Sequence, residues 1–379
     1  MARVLMVSTI AGTHRSFLLP LARHFRKKGW RIDAAAAGIS KSSECREAYE
    51  RVFELNWSRH PLDLGHLISS ARRIRFLATS ESYDIVHVHT PLAAFAVRFA
   101  LRRLRRGGRP KVVYTAHGFH SHPEGNPFSN AFFLGLEKMA GRWTDRLIVI
   151  NRHDETVAEK KKIVPSAHLA YMPGIGVDRA YYSPDRVSPE GIAKVRKDMG
   201  IGDGTPLFLM IGDFMPGKRH QDLIRAFRGV RRDAHLAFAG IGNRSRKMKK
   251  LVRELGLEDR VHFLGLRNDI PVLIRSSVAT IMPSIREGLS RSVIESLCLG
   301  VPVIGTDIRG IRDILEPAGG LLVPPRCPAA LQSRMEWVLS HPKEAEDLGL
   351  RGRETSTIYD VNRIIALHEE LYSGLISCA

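Results

Sequence analysis

The chain has 379 residues, which is enough for two domains that each bury a hydrophobic core. Hydrophobic residues make up 44% of the sequence and the formal net charge is +19, so the composition excludes a disordered chain and indicates an anionic partner. The four cysteines are far apart, no apolar run has the roughly 18 residues of a membrane-spanning helix, and no signal peptide is apparent, so we expect a cytoplasmic protein without zinc or disulfide bonds.

Short β-branched runs alternate with longer amphipathic runs along the first half of the sequence, as in a parallel sheet with helices on both faces. Strands are predicted at residues 3–9, 30–36, 84–89, 112–115 and 147–150. Helices are predicted near residues 17–25, 95–104 and 131–140.

The rhythm breaks at the Pro-Gly-Ile-Gly of residues 173–176 and then restarts. Further strands are predicted at 207–211, 236–239, 261–264, 278–282, 301–305 and 321–323, and helices near 221–230, 246–255, 292–299 and 362–376. We therefore predict an α/β protein with two doubly wound domains, residues 1–180 and 181–360, and a helix within 361–379 that packs back on the first domain. In such a pair, a ligand is expected in the cleft between the domains, at the carboxyl ends of the strands.

The segment 283–295 carries the strongest functional pattern, because it follows a strand and opens a helix. Gly288 lets the backbone approach a ligand closely, and the helix start offers free N–H groups to a diphosphate. Glu287 precedes the turn and Glu295 is expected about two turns inside the helix, so two carboxylates flank one elongated site. Carboxylates accept hydrogen bonds from hydroxyl groups, as a sugar ligand requires.

The spacing Glu287-x7-Glu295 resembles the signature of family 4 glycosyltransferases, which are retaining enzymes of the GT-B fold with two Rossmann-like domains that face each other across a cleft. The variant here, Arg-Glu-Gly-Leu-Ser at 286–290, is similar to that of bacterial exopolysaccharide and capsule transferases. The resemblance implies that Glu287 contacts the donor sugar and that Glu295 binds the ribose. It also implies that the backbone of Gly288, Leu289 and Ser290 faces the sugar and the diphosphate.

Other donor contacts follow from the same resemblance. Lys218 keeps the position of a family lysine that grips the diphosphate, whereas Asp213 replaces the usual arginine, and Arg219 is expected to compensate. The loop with Asn268 and Ile270 corresponds to the loop that touches the nucleobase, and uridine is favoured by resemblance alone.

The first domain is expected to bind the acceptor and to complete the active site. His117 follows a strand and resembles a family histidine that contacts the donor sugar near the reacting centre. Gly12 follows the first strand in a turn that borders the donor phosphates in relatives. His87 and His89 flank Val88 in a strand, and we interpret them as mainly structural, with His89 near the cleft.

No Asp-x-Asp pair occurs in the sequence, and such pairs hold a divalent ion in single-domain sugar transferases. We therefore expect no cofactor and no metal, with helix ends and Lys218 in the place of the cation. The expected partners are a nucleotide-sugar donor and a glycan or polyprenyl-diphosphate-linked acceptor, with transfer by a front-face route.

The basic, amphipathic segment 95–106 and the arginines Arg72, Arg73 and Arg75 suit an anionic membrane surface, which would place the enzyme on the inner face of the cell membrane. Two alternatives stay open. A nucleotide-sugar 2-epimerase shares the fold and would need acid and base groups in the first domain. A basic nucleic-acid-binding protein would show a steep salt dependence, but the basic clusters lack interleaved aromatic residues, so we expect no nucleic-acid partner.

Overall fold

The computed structural model describes residues 1–57, 64–121, 125–231 and 233–377. The chain divides into two compact units, Met1–Gly176 with Val361–Ala379, and Val177–Asp360. The boundary predicted at residue 180 therefore falls inside the second unit, and the C-terminal helix belongs to the first. Within the described ranges, no helix combines the length and the apolar character that crossing a bilayer requires.

The first unit is built on a seven-stranded sheet in which every neighbouring pair is parallel. Its strand order is β3-β2-β1-β4-β5-β6-β7, so the order reverses between β1 and β4. The strands are β1 Arg3–Ile10, β2 Arg31–Ala37, β3 Val52–Glu54, β4 Ile85–His89, β5 Lys111–Ala116, β6 Arg146–Val149 and β7 Leu169–Tyr171.

Helices cover both faces of this sheet. They are α1 Ala11–Thr13, α2 Leu19–Lys27, α3 Ser43–Ala48, α4 Leu64–Ser80, α5 Pro91–Leu101, α6 Pro127–Gly141 and α7 Arg152–Lys160, together with the C-terminal helix Val361–Ser377. One hydrophobic core holds the sheet against α4, α5 and α7, and a second holds it against α2, α3 and the C-terminal helix. Tyr372 of that last helix packs on Phe25 and Trp30, with ring centroids 5.1 and 6.3 Å apart.

The second unit repeats the arrangement with six parallel strands in the order β10-β9-β8-β11-β12-β13. The strands are β8 Leu207–Ile211, β9 His235–Ala239, β10 Val261–Gly265, β11 Ala279–Met282, β12 Val303–Thr306 and β13 Leu321–Val323. The helices are α8 Pro189–Asp198, α9 His220–Phe227, α10 Ser245–Glu254, α11 Ile270–Arg275, α12 Arg291–Cys298, α13 Arg312–Leu315, α14 Pro328–Ser340 and α15 Pro342–Thr355, and the C-terminal helix is α16. The prediction of two doubly wound α/β units is confirmed.

The predicted basic face of residues 95–106 is wrong in part. Helix α5 ends at Leu101, and a separate 3-10 turn follows at Leu104–Gly107. Arg98 is 1% exposed and belongs to the core. Its Nη2 donates to Glu137 Oε2 at 2.8 Å, and its guanidinium lies 4.2 Å from the ring centroid of Tyr114. The periodicity does not reveal this, because an arginine in an amphipathic pattern is normally exposed.

We predict that Glu137→Gln destabilises the first unit by about 3–5 kcal/mol, because it leaves the Arg98 charge buried without its carboxylate. The double variant Arg98→Met/Glu137→Leu should recover most of this loss, since both charges are removed together. Arg102→Met, at the partly exposed C-cap position of α5, is the matched control. Urea unfolding gives the free energy of unfolding of all three variants. If Glu137→Gln lowers this free energy no more than the control does, the buried ion pair is contradicted.

Candidate active site

In each unit, the reversal of strand order separates two neighbouring strands whose following loops diverge to opposite faces of the sheet. These points lie between β1 and β4 in the first unit and between β8 and β11 in the second. Ligands of open parallel sheets bind outside the carboxyl ends of the strands at such points. The loops that follow these four strands are therefore the places where each unit can bind a ligand.

In the second unit, a lysine and a glutamate meet at this point. Lys218 lies in the loop after β8 and Glu287 in the loop after β11, with 2.7 Å between Nζ and Oε1. Their side chains are 26% and 12% exposed, so the pair is partly shielded but open to solvent. The backbone joins the same loops, because the N–H of Ile285 donates to the carbonyl of Gly217 at 2.9 Å. Two predicted site residues that are far apart in sequence thus lie in contact.

The backbone of residues 288–290 is held by a neighbouring loop. Gly310, after β12, has a φ of +76°, and a Cβ there would lie 2.3 Å from the carbonyl oxygen of Gly288. The N–H of Ser290 donates to the carbonyl of Gly310 at 3.3 Å. Leu289, between them, packs against the core of the second unit. Position 310 therefore requires glycine, and the close approach sets the path of the chain into α12.

The start of α12 is a set of backbone donors. Ser290 is the N-cap residue and has an extended conformation, but its side chain makes no capping hydrogen bond. Its hydroxyl lies instead 3.4 Å from the hydroxyl of Ser292. Because the first N–H groups of a helix have no acceptor within the helix, this end can donate hydrogen bonds to an anion, and the helix dipole favours the negative charge.

Glu295 lies about one turn inside α12, not two as expected, because the helix begins at Arg291. It is 7% exposed, and Arg291 Nε donates to its Oε1 at 2.8 Å. Burial raises the pKa of Glu295, while Arg291 and a hydrogen bond from Tyr182 act in the opposite direction. Sequence reasoning missed both partners; the i, i+4 spacing indicates Arg291, but no local pattern indicates Tyr182.

Arg219 makes contacts of its own within its loop. Its Nε and Nη2 donate to the two carboxylate oxygens of Asp222 at 2.7 and 2.8 Å, and Asp222 is 2% exposed. Arg219 is also the N-cap residue of α9, with a φ of 56°. The structure thus shows Arg219 fixing the start of α9, next to a loop in which Asp213 and Met215 are exposed and Phe214 is buried.

The loop with Asn268 and Ile270 follows β10. The carbonyl of Asn268 accepts a hydrogen bond from the hydroxyl of Tyr181 at 3.1 Å, and Ile270 begins α11. Arg267 and Asp269, on either side of Asn268, form an ion pair at 2.5 Å. A hydrogen bond to the backbone therefore holds the loop in place. Tyr181, which donates this hydrogen bond, is a further residue that sequence reasoning did not find.

In the first unit, Gly12 lies in the short helix α1, directly after β1. His14, which follows it, is fully buried, and its Nδ1 lies 2.8 Å from the Tyr49 hydroxyl. This neighbour therefore contributes to the core of the unit, while Gly12 stays partly exposed at the strand end.

His117 follows β5 and belongs to a cluster of imidazole rings. Its Nε2 lies 3.0 Å from Nδ1 of His89, the last residue of β4, and its ring stacks on Phe17 at 5.8 Å. His368 of α16 lines the same small pocket as His117, His89 and Phe17. The strand spacing of His87 and His89 indicates that they share a face of the sheet, but nothing in the sequence pairs that face with His117.

Burial keeps these imidazoles neutral. It lowers the pKa of His117 and of His368 to about 4 and that of His14 to about 3, and it lowers the pKa of His87 and of His89 well below the usual range. Within the parts of the chain that the structure describes, no group of three or more His, Cys, Asp or Glu side chains is arranged to hold a metal ion.

Comparison with known proteins identifies the family. Residues 192–355 match the family described as "Glycosyl transferases group 1", and residues 16–178 match "Glycosyltransferase Family 4". EpsD of Bacillus subtilis, named as a glycosyltransferase, is 31% identical over 377 residues, which cover 98% of this chain and 96% of EpsD. The chain belongs to glycosyltransferase family 4.

Two further proteins show how this family 4 enzyme relates to others. An Escherichia coli UDP-Gal:alpha-D-GlcNAc-diphosphoundecaprenol alpha-1,3-galactosyltransferase is 28% identical over 254 residues, 65% of this chain and 63% of that protein. The crystal structure of Anabaena HepE in complex with UDP and glucose shares the fold, with a TM-score of 0.82 and 20% identity over 99% of this chain and 100% of HepE. The GT-B fold and a hexosyltransferase-type enzyme, both predicted from the sequence, are confirmed.

We predict that the first unit of this glycosyltransferase loses stability as the pH falls from about 6.5 towards about 4. The folded pKa values of His14 and His368 lie below the ordinary value of 6.5, so the unfolded chain binds more protons in this window. Between about pH 7.5 and about pH 5.5, protonation of each of these two histidines in the unfolded chain should lower the free energy of unfolding by about 1.4 kcal/mol.

Urea unfolding at the two pH values tests this, with His14→Gln and His368→Gln as variants and the exposed His66→Gln as control. In each of the two buried variants, the change in the free energy of unfolding between the two pH values should be smaller by roughly 1.4 kcal/mol, which corresponds to one proton. In the control, this change should equal that of the wild type. A pH response identical in all four proteins would show that these imidazoles are not buried in the neutral form.

Proposed function

We propose that this enzyme transfers a sugar, with retention of the anomeric configuration, from a UDP-sugar to a hydroxyl of a lipid-linked or free glycan in surface polysaccharide synthesis. The observation that carries the proposal is the contact of Lys218 with Glu287 at the carboxyl ends of β8 and β11, beside the open start of α12. A cation, a carboxylate and the first N–H groups of a helix at one point match the parts of a sugar diphosphate.

The diphosphate is the part that the cation and the helix bind. Lys218 and the N–H groups at the start of α12 neutralise the charge that grows on the diphosphate as it leaves, so this chemistry requires no metal ion. Arg219 would have to leave Asp222 to take part, and we therefore assign it to holding the loop rather than to the diphosphate.

The sugar and the ribose are the parts that the two glutamates bind. When the donor enters, Lys218 turns to the diphosphate, and the Glu287 carboxylate becomes free to accept hydrogen bonds from sugar hydroxyls. Glu295 accepts from the ribose hydroxyls, while Arg291 keeps its carboxylate oriented. The loop of Asn268 and Ile270 offers backbone groups to the base. The uridine preference is supported by the relative named for UDP-Gal and by the UDP bound to HepE.

In the reaction, the bond between the anomeric carbon and the diphosphate oxygen breaks, and a bond from the acceptor oxygen to the same carbon forms. The acceptor proton passes to the departing diphosphate oxygen, so UDP and the glycoside are the products. His117 donates a hydrogen bond to the sugar near the reacting centre, as a neutral imidazole can. A lipid-linked acceptor is supported by the diphosphoundecaprenol substrate in the name of the Escherichia coli relative.

Nucleotide binding tests the donor site. We expect UDP, but not GDP, ADP or inorganic diphosphate, to raise the melting temperature of the wild-type enzyme in the presence of EDTA. Lys218→Ala and Glu295→Ala should weaken UDP binding by roughly 10-fold or more, because each removes a charged partner of the ligand.

Lys250→Ala is the matched control, since Lys250 is an exposed lysine on α10 that pairs only with Glu254 along its helix. Its UDP response should equal that of the wild type. Equal stabilisation by all four anions, abolished by salt, would refute the donor site and support binding by charge alone. A UDP response that EDTA removes would refute the metal-independent mechanism.

A second part of the proposal concerns the place of action, and it rests on the surface of α4, α5 and α6. These helices pack side by side on one face of the sheet. Their sequences contain one carboxylate, Glu137, and it is buried against Arg98. The large apolar side chains exposed on these helices are Ile68, Phe76, Phe99, Phe128, Phe132 and Met139.

Exposed cations lie among these apolar side chains. Ile68, Arg72 and Phe76 follow each other at four-residue spacing on α4, so they share one face of that helix. Phe128 and Phe132 do the same on α6 and are 86% and 62% exposed. Rings beside arginines, on helices whose one carboxylate is buried, suit the interface of an anionic bilayer. We propose that this three-helix surface binds the inner face of the cell membrane and brings the enzyme to a lipid-linked acceptor.

Vesicle sedimentation tests the three-helix surface. We expect binding to vesicles of phosphatidylglycerol with phosphatidylcholine and none to phosphatidylcholine alone. Phe128→Ser/Phe132→Ser should weaken binding by roughly 10- to 100-fold, because two inserted rings are lost. Leu350→Ser in the second unit removes a side chain that is 50% exposed and is the control. Equal binding of the double variant and the control would refute this surface.

A further inference from the structure

A direct imidazole–imidazole hydrogen bond joins the ends of two neighbouring strands in the first unit. His89 ends β4 and His117 follows β5, and β4 and β5 pair in parallel. Nδ1 of His89 lies 3.0 Å from Nε2 of His117. On the other side of the His89 ring, Nε2 is buried, and no hydrogen-bond partner reaches it within the described ranges of the chain.

One arrangement of protons on this pair is favoured. A neutral imidazole has one N–H donor and one acceptor nitrogen, so one ring must donate to the other. If His117 donated from Nε2, the proton of His89 would lie on its own Nε2, as a buried N–H without an acceptor. A buried N–H without a partner has given up its hydrogen bond to water without a replacement, and such groups are rare in folded proteins. If His89 donates from Nδ1, only a lone pair is left without a partner.

We infer that His89 is a positioning residue that holds His117 in the tautomer with its proton on Nδ1. This inference rests on the proposed function, in which His117 contacts the donor sugar. Nε2 of His117 then accepts from His89, and Nδ1–H is the one donor that the ring can offer to a ligand. His117 is partly exposed, and its Nδ1 makes no hydrogen bond to the described residues.

The surroundings of His89 hold its ring in place. The ring of His87 lies against it at an angle of 37°, with ring centroids 4.1 Å apart, and His87 is itself bonded at both nitrogens. Its Nδ1 contacts the Tyr372 hydroxyl of α16, and its Nε2 lies 2.7 Å from Oγ1 of Thr115. Phe17 and His89 flank the ring of His117 at 5.8 and 5.3 Å. His117 therefore has little freedom to rotate and to exchange its two nitrogens.

The inference defines the chemistry that His117 recognises. A ring fixed as an Nδ1–H donor binds an acceptor, such as a hydroxyl or carbonyl oxygen of the donor sugar, and cannot accept a proton from a hydroxyl at that atom. His117 would thus select and stabilise the sugar without acting as a general base. His89 sets this preference although it does not touch the ligand.

Nitrogen-15 NMR of the histidine side chains tests the tautomer in the protein without ligand. The resonances of His117 are assigned as those missing from His117→Gln. We expect a protonated Nδ1 and an unprotonated Nε2 in the wild type and in His89→Asn, whose side-chain amide can still donate to Nε2. His89→Leu has no donor, so the proton of His117 should move partly or wholly to Nε2.

His14→Gln is the matched control, because it changes a fully buried histidine of the same unit that bonds Tyr49 rather than His89 or His117, and it should leave the His117 resonances as in the wild type. A proton on Nε2 of His117 in the wild type, or unchanged resonances in His89→Leu, would overturn the inference.

Hydrolysis of UDP-glucose links the tautomer to transfer and separates the two proposals. We expect kcat to fall about 10-fold or more in His89→Leu with little change in KM, and to recover in His89→Asn, because the hydrogen bond is made in the transition state. If His117→Gln is as active as the wild type while the NMR result holds, the role of His117 in the proposed function is wrong. If His117→Gln is impaired but His89→Leu is not, His89 has no positioning role.

Discussion

The reversal of strand order in each sheet is the constraint on which the rest of the structure depends. Parallel strands have all their carboxyl ends at one edge, and the reversal between β8 and β11 sends the two following loops to opposite faces of the sheet. That divergence leaves an open place at the edge, and it is there that Lys218 meets Glu287 across 69 residues of sequence. The close approach of Gly310 to Gly288 then sets the direction in which α12 starts. The chemistry of the donor site thus depends on a topological feature, and the individual side chains complete it.

Burial, more than proximity of opposite charges, sets the pKa of Glu295 and of the buried histidines of the first unit. Glu295 is buried beside Arg291, and its pKa is raised in spite of that cation. The histidines of the first unit are neutral for the same reason, since removing an imidazolium from water costs more than the surrounding groups return. A neutral His117 can donate one hydrogen bond with a defined direction, which an imidazolium in water would not do. The hydrophobic core of the first unit is therefore part of its chemistry as well as of its stability.

The sequence predicts those features that repeat with a short period, and it fails where distant residues meet. The central strands of both sheets are buried apolar runs and are recognised, whereas β3 and β7 are three-residue edge strands with partly exposed side chains and carry no such pattern. Glu287 and Glu295 can be found because their spacing is local. Tyr182 beside Glu295 could not be found, because only the folded second unit brings it there. The burial of Arg98 could not be predicted, because a helical pattern of alternating apolar and basic residues does not show which arginine pairs with a buried carboxylate.

The net charge of +19 has a meaning only once its cations are sorted by their partners. Arg98, Arg105 and Arg219 each form an ion pair with a carboxylate of their own unit. Arg72, Arg73 and Arg75 lie exposed on α4, a helix without any acidic residue. A cation that has no carboxylate partner can approach an anionic surface without first breaking an ion pair. Its electric field reaches about 8–10 Å at physiological ionic strength. It can therefore act on an extended anionic surface, where many weak contacts add up. Lys218 belongs to neither group, because its carboxylate partner, Glu287, is itself part of the proposed donor site. In their ion pair, Lys218 and Glu287 are each only partly hydrated. A ligand that offers a diphosphate to Lys218 and hydroxyl groups to Glu287 can therefore replace the pair without leaving either charge unpaired.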